Sequence, residues 1–488
     1  MVIESLKYKI LQQFGFAPTQ EQGQALDTFV SFLTDRDPQA VMILRGSAGT
    51  GKTSLSGAIV RTLLQIRQKV MLLAPTGRAA KVFSLGSGAP AYTIHRRIYR
   101  EKAFAGVDGQ FSLNDNLYTD TLFMVDEASM IANMGLGGTT FGSGCLLDDL
   151  VKFVYQGHND RLLLIGDKAQ LPPVGEEESP ALSASVMEGY GLKVYECDLN
   201  EVLRQSQSSG ILYNATLIRQ MITHDAVTGL PLIRFKGFAD IVMMPGAELV
   251  ESLGDSYHHV GMDETMVITR SNKRANIYNN GIRNMVLDRE EELSSGDMLM
   301  IVKNNYFWTE KEKKESGEGS AGAVPAFLAN GDRAKVLRVS NYIELYGFRF
   351  VTLQLQLPDY DDYEMQVTGM LDTLQSEAPA LTHEQQEELF RQVEEDYQHF
   401  VPLKADRMKS IRQDAYFNAL QIKYAYAVTC HKAQGGQWAH VYVDQGYMTD
   451  DMLTPDYIHW LYTAFTRATD KLFLVNWPKE QTCEPTDL

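Results

Sequence analysis

The sequence predicts an α/β protein with two layers of parallel strands, and three observations carry that prediction. Short apolar runs recur along the chain: VMIL (41–44), VMLLA (70–74), LFMV (122–125), LLLI (162–165), MVI (266–268), HVYV (440–443) and LFLV (472–475). They are mostly β-branched or aliphatic and several are separated by helix-length stretches, the pattern of parallel strands covered on both faces. Finally, they fall into an N-terminal group and a C-terminal group, which implies two layers rather than one.

At 488 residues the chain is too long for a single core, so two to four domains are expected. Hydrophobic residues make up 44% and charged residues 22%, the profile of a globular protein. No apolar run approaches the roughly 18 residues that span a bilayer, and the amphipathic start, MVIESLKYKILQQFGF, lacks a signal-peptide core. A cytoplasmic location is therefore expected. The four cysteines, Cys145, Cys197, Cys430 and Cys483, form no CxxC pair, which argues against a zinc ribbon or a disulfide framework.

Net charge is −17, which taken alone argues against a nucleic-acid partner. The distribution matters more than the sum. Acid collects in Asp288–Glu292, Asp359–Glu364 and Glu384–Asp396, whereas nine Lys or Arg between Arg61 and Ala103 face only Glu101. A locally basic surface on an acidic protein can hold a phosphate backbone; a solvated helix face is the other account of the same charges.

The first element with chemistry is Gly46-Ser-Ala-Gly-Thr-Gly-Lys-Thr53, placed between the VMIL strand and the helix-like SLSGAIVRTLLQI. It matches GxxxxGK[ST] in its strand–loop–helix context. Gly46, Ser47, Ala48, Gly49, Thr50, Gly51, Lys52 and Thr53, with Ser54 beside them, are thus candidate nucleotide-binding residues. Such a loop surrounds phosphates with backbone N–H groups at a helix N-terminus. Lys52 is expected to reach the β- and γ-phosphates, and the Thr53 hydroxyl to ligate Mg²⁺. LFMVDEASM (122–130) ends a strand in Asp126-Glu127. Asp126 is expected to hold the Mg²⁺ through water, and Glu127 to orient or deprotonate the attacking water. ATP hydrolysis with Mg²⁺ is the expected reaction.

The ordered set of further blocks resembles the superfamily 1 helicases, in the RecD- and Dda-like branch. PTQEQ (18–22) is similar to the family's adenine-reading element, which gives Gln22 to the base edge; Thr19 and Gln22 also fit a helix capping box. LLAPTGRAAK (72–81) is similar to a block that grips the nucleic-acid backbone, with Arg78 and Lys81 as its cations, and Thr93-Ile-His-Arg96 resembles a further strand-contacting block. LLLIGDKAQLPPVG (162–175) resembles the block whose Gln, here Gln170, senses the γ-phosphate. In LNEVLRQ (199–205) the resemblance gives Arg204 a γ-phosphate contact, and in YTAFTRAT (462–469) it makes Arg467 the arginine finger. Lys52, Glu127, Gln170, Arg204 and Arg467 are the catalytic residues so implied.

TCHKAQGGQW (429–438) has a Cys-His pair, but neighbouring side chains on a strand point to opposite faces, so a metal or thiol site is disfavoured. The resemblance places Thr429, His431 and Lys432 on the strand backbone and Gln434 and Gly435 toward the nucleotide. Many relatives carry Glu where this chain has Gln437, which leaves sugar selectivity open.

The resemblance implies two RecA-like motor domains, 1–84 with 122–200 and 201–298 with 421–488. A hairpin insert is expected at 85–121 and an SH3-like barrel with an added helix at 299–420. Within the hairpin, Phe104 and Phe111 are candidates to stack on or wedge between bases, or to pack beneath it. Glu310–Ala323 and Met134–Gly144 read as mobile loops, and Thr382–Phe400 as an acidic helix. The implied function is an ATP-dependent 5′-to-3′ helicase acting as a monomer on single-stranded and forked DNA. A translocase or RNA motor without unwinding, and a nucleotide-dependent clamp or recruitment ATPase, remain as alternatives.

Overall fold

The architecture was obtained as a computed structural model that describes residues 2–104, 109–135, 142–201, 208–223, 229–316, 324–325 and 327–483. The first sheet holds β1 (Ala40–Gly46), β2 (Lys69–Ala74), β3 (Ala91–Thr93), β6 (Thr121–Val125), β7 (Arg161–Gly166) and β8 (Lys193–Leu199); β4 (Tyr99–Phe104) and β5 (Gly109–Leu113) form a separate antiparallel hairpin. Its order is β3-β2-β6-β7-β1-β8, and every pairing is parallel. Side chains alternate across β1: Met42 and Leu44 pack with Leu26, Phe29 and Leu63 on one face, Val41 and Ile43 with Phe123, Phe153 and Leu164 on the other. That double burial is why the strand reads as an unbroken apolar run.

The chain continues through β9 (Ile241–Met244) and β10 (Thr265–Thr269), leaves for a barrel, and returns with β16 (Ala427–Thr429), β17 (Trp438–Asp444) and β18 (Ala468–Val475). These form the second parallel sheet, ordered β16-β10-β17-β18-β9. The intervening β11 (Met298–Ile301), β12 (Arg333–Leu345), β13 (Phe348–Leu357), β14 (Tyr363–Met370) and β15 (Leu420–Tyr424) close into a small barrel. Its junction with the second sheet is fixed by Asp297, fully buried, which accepts from Arg289 at 2.6 Å, Tyr426 at 2.8 Å and Arg283 at 3.1 Å. Two arginines and a phenol satisfy this buried charge, so it orients the junction rather than straining it.

All seven apolar runs lie in strands of the two parallel sheets. The acidic segment is a helix, His383–Gln398, opened by a Thr382/Gln385 capping box. One expectation is corrected. Glu310–Ser316, read as loop from its charge, belongs to the helix Phe307–Ser316, which Trp308 and Thr309 anchor by burial; 317–323 lies outside the described residues. In the Gly-rich stretch 134–144, residues 136–141 likewise lie outside them. Among the described residues no helix is long and apolar enough to cross a membrane.

Candidate active site

The phosphate loop follows β1 at the C-terminal edge of the first sheet. Gly49 and Gly51 have φ of 78° and 79°, left-handed values that glycine adopts at no steric cost. Gly46 is constrained by space instead, because a Cβ there would lie 2.7 Å from Lys52 Cγ. The loop is braced internally: Thr50 Oγ1 donates to the Ser47 carbonyl at 2.8 Å, and Lys52 Nζ donates to the carbonyls of Gly46 and, at 3.2 Å, Ser47. Helix Lys52–Gln65 then begins, with Thr53 and Ser54 exposed on its first turn.

Gln22 sits against this loop. Its Nε2 donates to the Thr50 carbonyl at 2.9 Å and its Oε1 accepts from Thr19 N at 3.0 Å, with only 1% of the residue exposed. The structure therefore places Gln22 as a brace of the loop and the N3 partner in the capping box that Thr19 opens on helix Gln20–Leu33, with its amide engaged inside rather than offered to a base edge.

β6 delivers the acidic pair two strands from β1 in the sheet order. Glu127 has φ 53°, a left-handed value uncommon outside glycine, of the kind found where backbone is held for function. Its N–H donates to Asp126 Oδ1 at 2.9 Å. Burial, and next the charge of Glu127, push the Asp126 carboxyl up to about 7, with Lys52 only partly offsetting them. A crowded, desolvated carboxylate gains most from a cation. Among the described residues no group of three or more His, Cys, Asp or Glu could hold a metal ion; a Mg²⁺ here would be held by Asp126 and Thr53 together with water and phosphate.

Beyond β7 the chain turns through Asp167–Leu171 and meets the second domain. Helix Pro455–Phe465 presents His459, Tyr462 and Thr463, spaced i, i+3, i+4 and so on one face. Leu171 N donates to Thr463 Oγ1 at 2.8 Å, and His459 Nδ1 lies 2.9 Å from the Ala169 carbonyl. Tyr462 donates to Asp167 Oδ2 at 2.6 Å and accepts from Ala48 N at 3.0 Å. Gln434 Nε2 donates to the Leu171 carbonyl at 2.7 Å, so the 429–438 loop reaches the same turn. Gln170 is buried there with its Oε1 unpartnered, a group poised for a ligand or water.

The three arginines differ. Arg204 lies outside the described residues. Arg467 is 2% exposed and donates to the carbonyls of Thr463 and Gly436, each at 3.1 Å, and to Thr466 Oγ1 at 3.2 Å. It ties the helix to the 429–438 loop and makes no contact with the phosphate loop in this arrangement. Arg219, on helix Gly210–Thr223, does reach the loop: its guanidinium donates to Ser47 Oγ and, at 3.5 Å, to the Asn200 carbonyl. The sequence reading missed it, and a lone arginine in an apolar helix offers nothing to find it by.

A second surface carries the basic residues. Arg78 stacks 4.6 Å over Trp438 and donates to the Gln437 carbonyl at 2.7 Å, which links the two motor domains. Arg78 and Lys81 lie 3.8 and 3.7 Å from Asp359 of the barrel. Beside them a cavity of about 230 Å³ is lined by Lys81, Tyr92, Thr93, Arg96, Phe327 and Tyr360. Arg97 stacks 4.2 Å over Tyr92. In the hairpin, Phe111 packs 4.8 Å from Tyr306, which stacks at 4.7 Å on Phe327 of the barrel. The Phe104 side chain lies outside the described residues.

The 429–438 loop holds no thiol site. Cys430 is fully buried, and burial pushes its thiol up to about 12. Lys432 is brought down to about 8, first by burial and then by Lys423, and its Nζ is buried without a hydrogen-bond partner. His431 is exposed.

A phosphate loop and acidic pair on one parallel sheet, met by a second parallel sheet through its turn, define a P-loop fold of two parallel-sheet domains. Comparison with known proteins agrees. A family profile described as an AAA domain matches residues 17–229, and one described as a UvrD-like helicase C-terminal domain matches 424–475. The chain is 27% identical over 351 residues to the ATP-dependent RecD2 DNA helicase of Deinococcus radiodurans, covering 69% of this chain and 42% of that protein. It is 25% identical over 267 residues to the ATP-dependent DNA helicase dda of enterobacteria phage T4, covering 53% and 55% respectively. These alignments span about half the length of either relative. A Pif1 helicase structure from Bacteroides, in complex with ADP-AlF3 and single-stranded DNA, aligns over 96% of this chain and 95% of that one, at 14% identity and a TM-score of 0.46. These matches support a superfamily 1 helicase of the RecD/Dda type.

Proposed function

We propose that the chain is an ATP-dependent DNA helicase that moves 5′ to 3′ along single-stranded DNA and opens forked duplex, working as a monomer. The observation that carries this reading is the contact of both motor domains with one phosphate loop: Tyr462 and Arg219 of the second domain bond Ala48 and Ser47 of the first. Whatever binds that loop acts on the domain interface.

ATP phosphates enter the loop's N–H groups while Lys52 turns from the loop carbonyls to the β- and γ-phosphates. Thr53 and Asp126 are suited to hold Mg²⁺, which supplies charge neutralisation on those phosphates. Glu127 orients the attacking water, and Gln170 offers its free amide oxygen beside it. Arg204 and Arg467 are proposed to stabilise the transferred charge. For Arg467 this requires release from the Gly436 and Thr463 carbonyls, so the finger role goes with a domain movement. The motor units are proposed as 1–84 with 122–200 and 201–298 with 421–488, adjusted where the sheets require it: β3 belongs to the first unit, and Met298 and 421–424 to the barrel; the hairpin β4–β5 and the barrel flank the path. Arg78, Lys81 and Arg96 with Tyr92 supply cations and a stacking face for the strand, joined by Thr429, His431 and Lys432 across the interface.

The experiment is the rate of ATP hydrolysis with and without single-stranded DNA. The reading expects about tenfold stimulation or more. An unchanged rate would sink it and favour a clamp or recruitment ATPase.

A further inference from the structure

We infer that Tyr462 is a positioning residue that competes with nucleotide for the phosphate loop. Its phenol takes the Ala48 N–H in this arrangement and gives it up when a phosphate arrives, which removes one of the two bonds from the second domain to the loop. This deepens the proposed ATPase reading and rests on it.

Three observations converge. Ala48 lies in the loop whose N–H groups receive phosphate oxygens, and its N–H donates instead to Tyr462 Oη at 3.0 Å. One N–H serves one good acceptor, so phenol and phosphate exclude each other. The same phenol donates at 2.6 Å to Asp167 Oδ2, and Asp167 Oδ1 accepts from Ala169 N at 3.0 Å. Tyr462 thereby holds the turn that carries Gln170. Thirdly, Thr463 and His459 on the same helix face grip Leu171 and Ala169 of that turn. Loss of the Ala48 bond leaves Tyr462 attached to the turn, so the loop and the turn exchange partners without the helix letting go. Burial, with Asp167 beside it, keeps the phenol protonated and able to donate.

Tyr462→Phe removes one hydroxyl and keeps the ring, which is 1% exposed. Affinity for a fluorescent ATP analogue and for ADP is measured by titration, thermal stability by melting, and DNA stimulation of hydrolysis by phosphate release. Freed of a competitor worth one hydrogen bond, the variant is expected to bind the ATP analogue about three- to tenfold more tightly. Its DNA stimulation is expected to fall, because Asp167 loses the phenol that ties the start of the turn to the helix. Asp167→Asn is the companion: it leaves the Ala48 bond in place, so nucleotide affinity stays near wild type while DNA stimulation falls. A Tyr462→Phe variant that binds nucleotide as wild type does, with stimulation intact, overturns the inference and leaves the ATPase standing. Weaker binding together with a lowered melting temperature makes Tyr462 a packing residue and also overturns it. A wild-type protein that binds no nucleotide overturns the ATPase reading itself.

Discussion

At the residue scale, Lys52 shows how a functional group is kept ready at little cost. Its ammonium is satisfied by the Gly46 and Ser47 carbonyls, so Lys52→Ala is expected to abolish phosphate release while moving the melting temperature little. Arg467 contrasts with it. Its three donations are all made inside the second domain, and truncation leaves buried carbonyls unpaired. Arg467→Ala is therefore expected to lose both hydrolysis and about 1–3 kcal/mol of stability, read by phosphate release and urea unfolding. Arg219→Ala should lower the hydrolysis rate, with partial recovery in Arg219→Lys, since charge near Ser47 is retained. The loop and acidic pair were legible because local spacing dictates them. Arg219 and Tyr462 were not, because their partners lie 172 and 414 residues away and no local pattern records such a pairing.

At the element scale, the barrel is tied to the first domain through charge and through rings. Asp359 sits between Arg78 and Lys81, the two cations assigned to the strand, and Lys81 Nζ also donates to the Pro358 carbonyl at 2.5 Å. Asp359→Asn is expected to tighten single-stranded DNA binding about three- to tenfold at low salt, with the gain fading as salt rises, measured by anisotropy. Next to it, burial pushes the Asp332 carboxyl up to about 7. A folded-state value raised above the ordinary 3.8 favours the protonated fold, so this group's stabilising contribution is complete below about pH 4 and is lost as pH rises to about 7. The protein should melt at a lower temperature at pH 8 than at pH 5, and Asp332→Asn should flatten that difference. The strands were legible from apolar runs, whereas helix Phe307–Ser316 was hidden because its charged, polar second half carries no apolar periodicity. Trp308 and Thr309 bury its start, a tertiary fact that outweighs composition.

At the scale of the whole molecule, the placement of charge bears on the proposed function more than its net value of −17 does. Two acidic runs, 359–364 and 384–396, lie on the barrel and its helix, while Arg78, Lys81, Arg96 and Arg97 collect where the first domain faces the barrel. The two sheets meet through hydrogen bonds of a few residues, among them Leu171 with Thr463 and Gln434, and Arg78 with Gln437. An interface built from such exchangeable bonds suits a motor whose domains move relative to one another at each turnover. The measurement that tests this account most directly is ATP-driven unwinding of matched duplexes carrying a 5′ or a 3′ single-stranded tail. The account predicts separation of the 5′-tailed duplex, dependent on ATP and absent in Lys52→Ala. Preference for the 3′ tail, or separation without ATP, would contradict it.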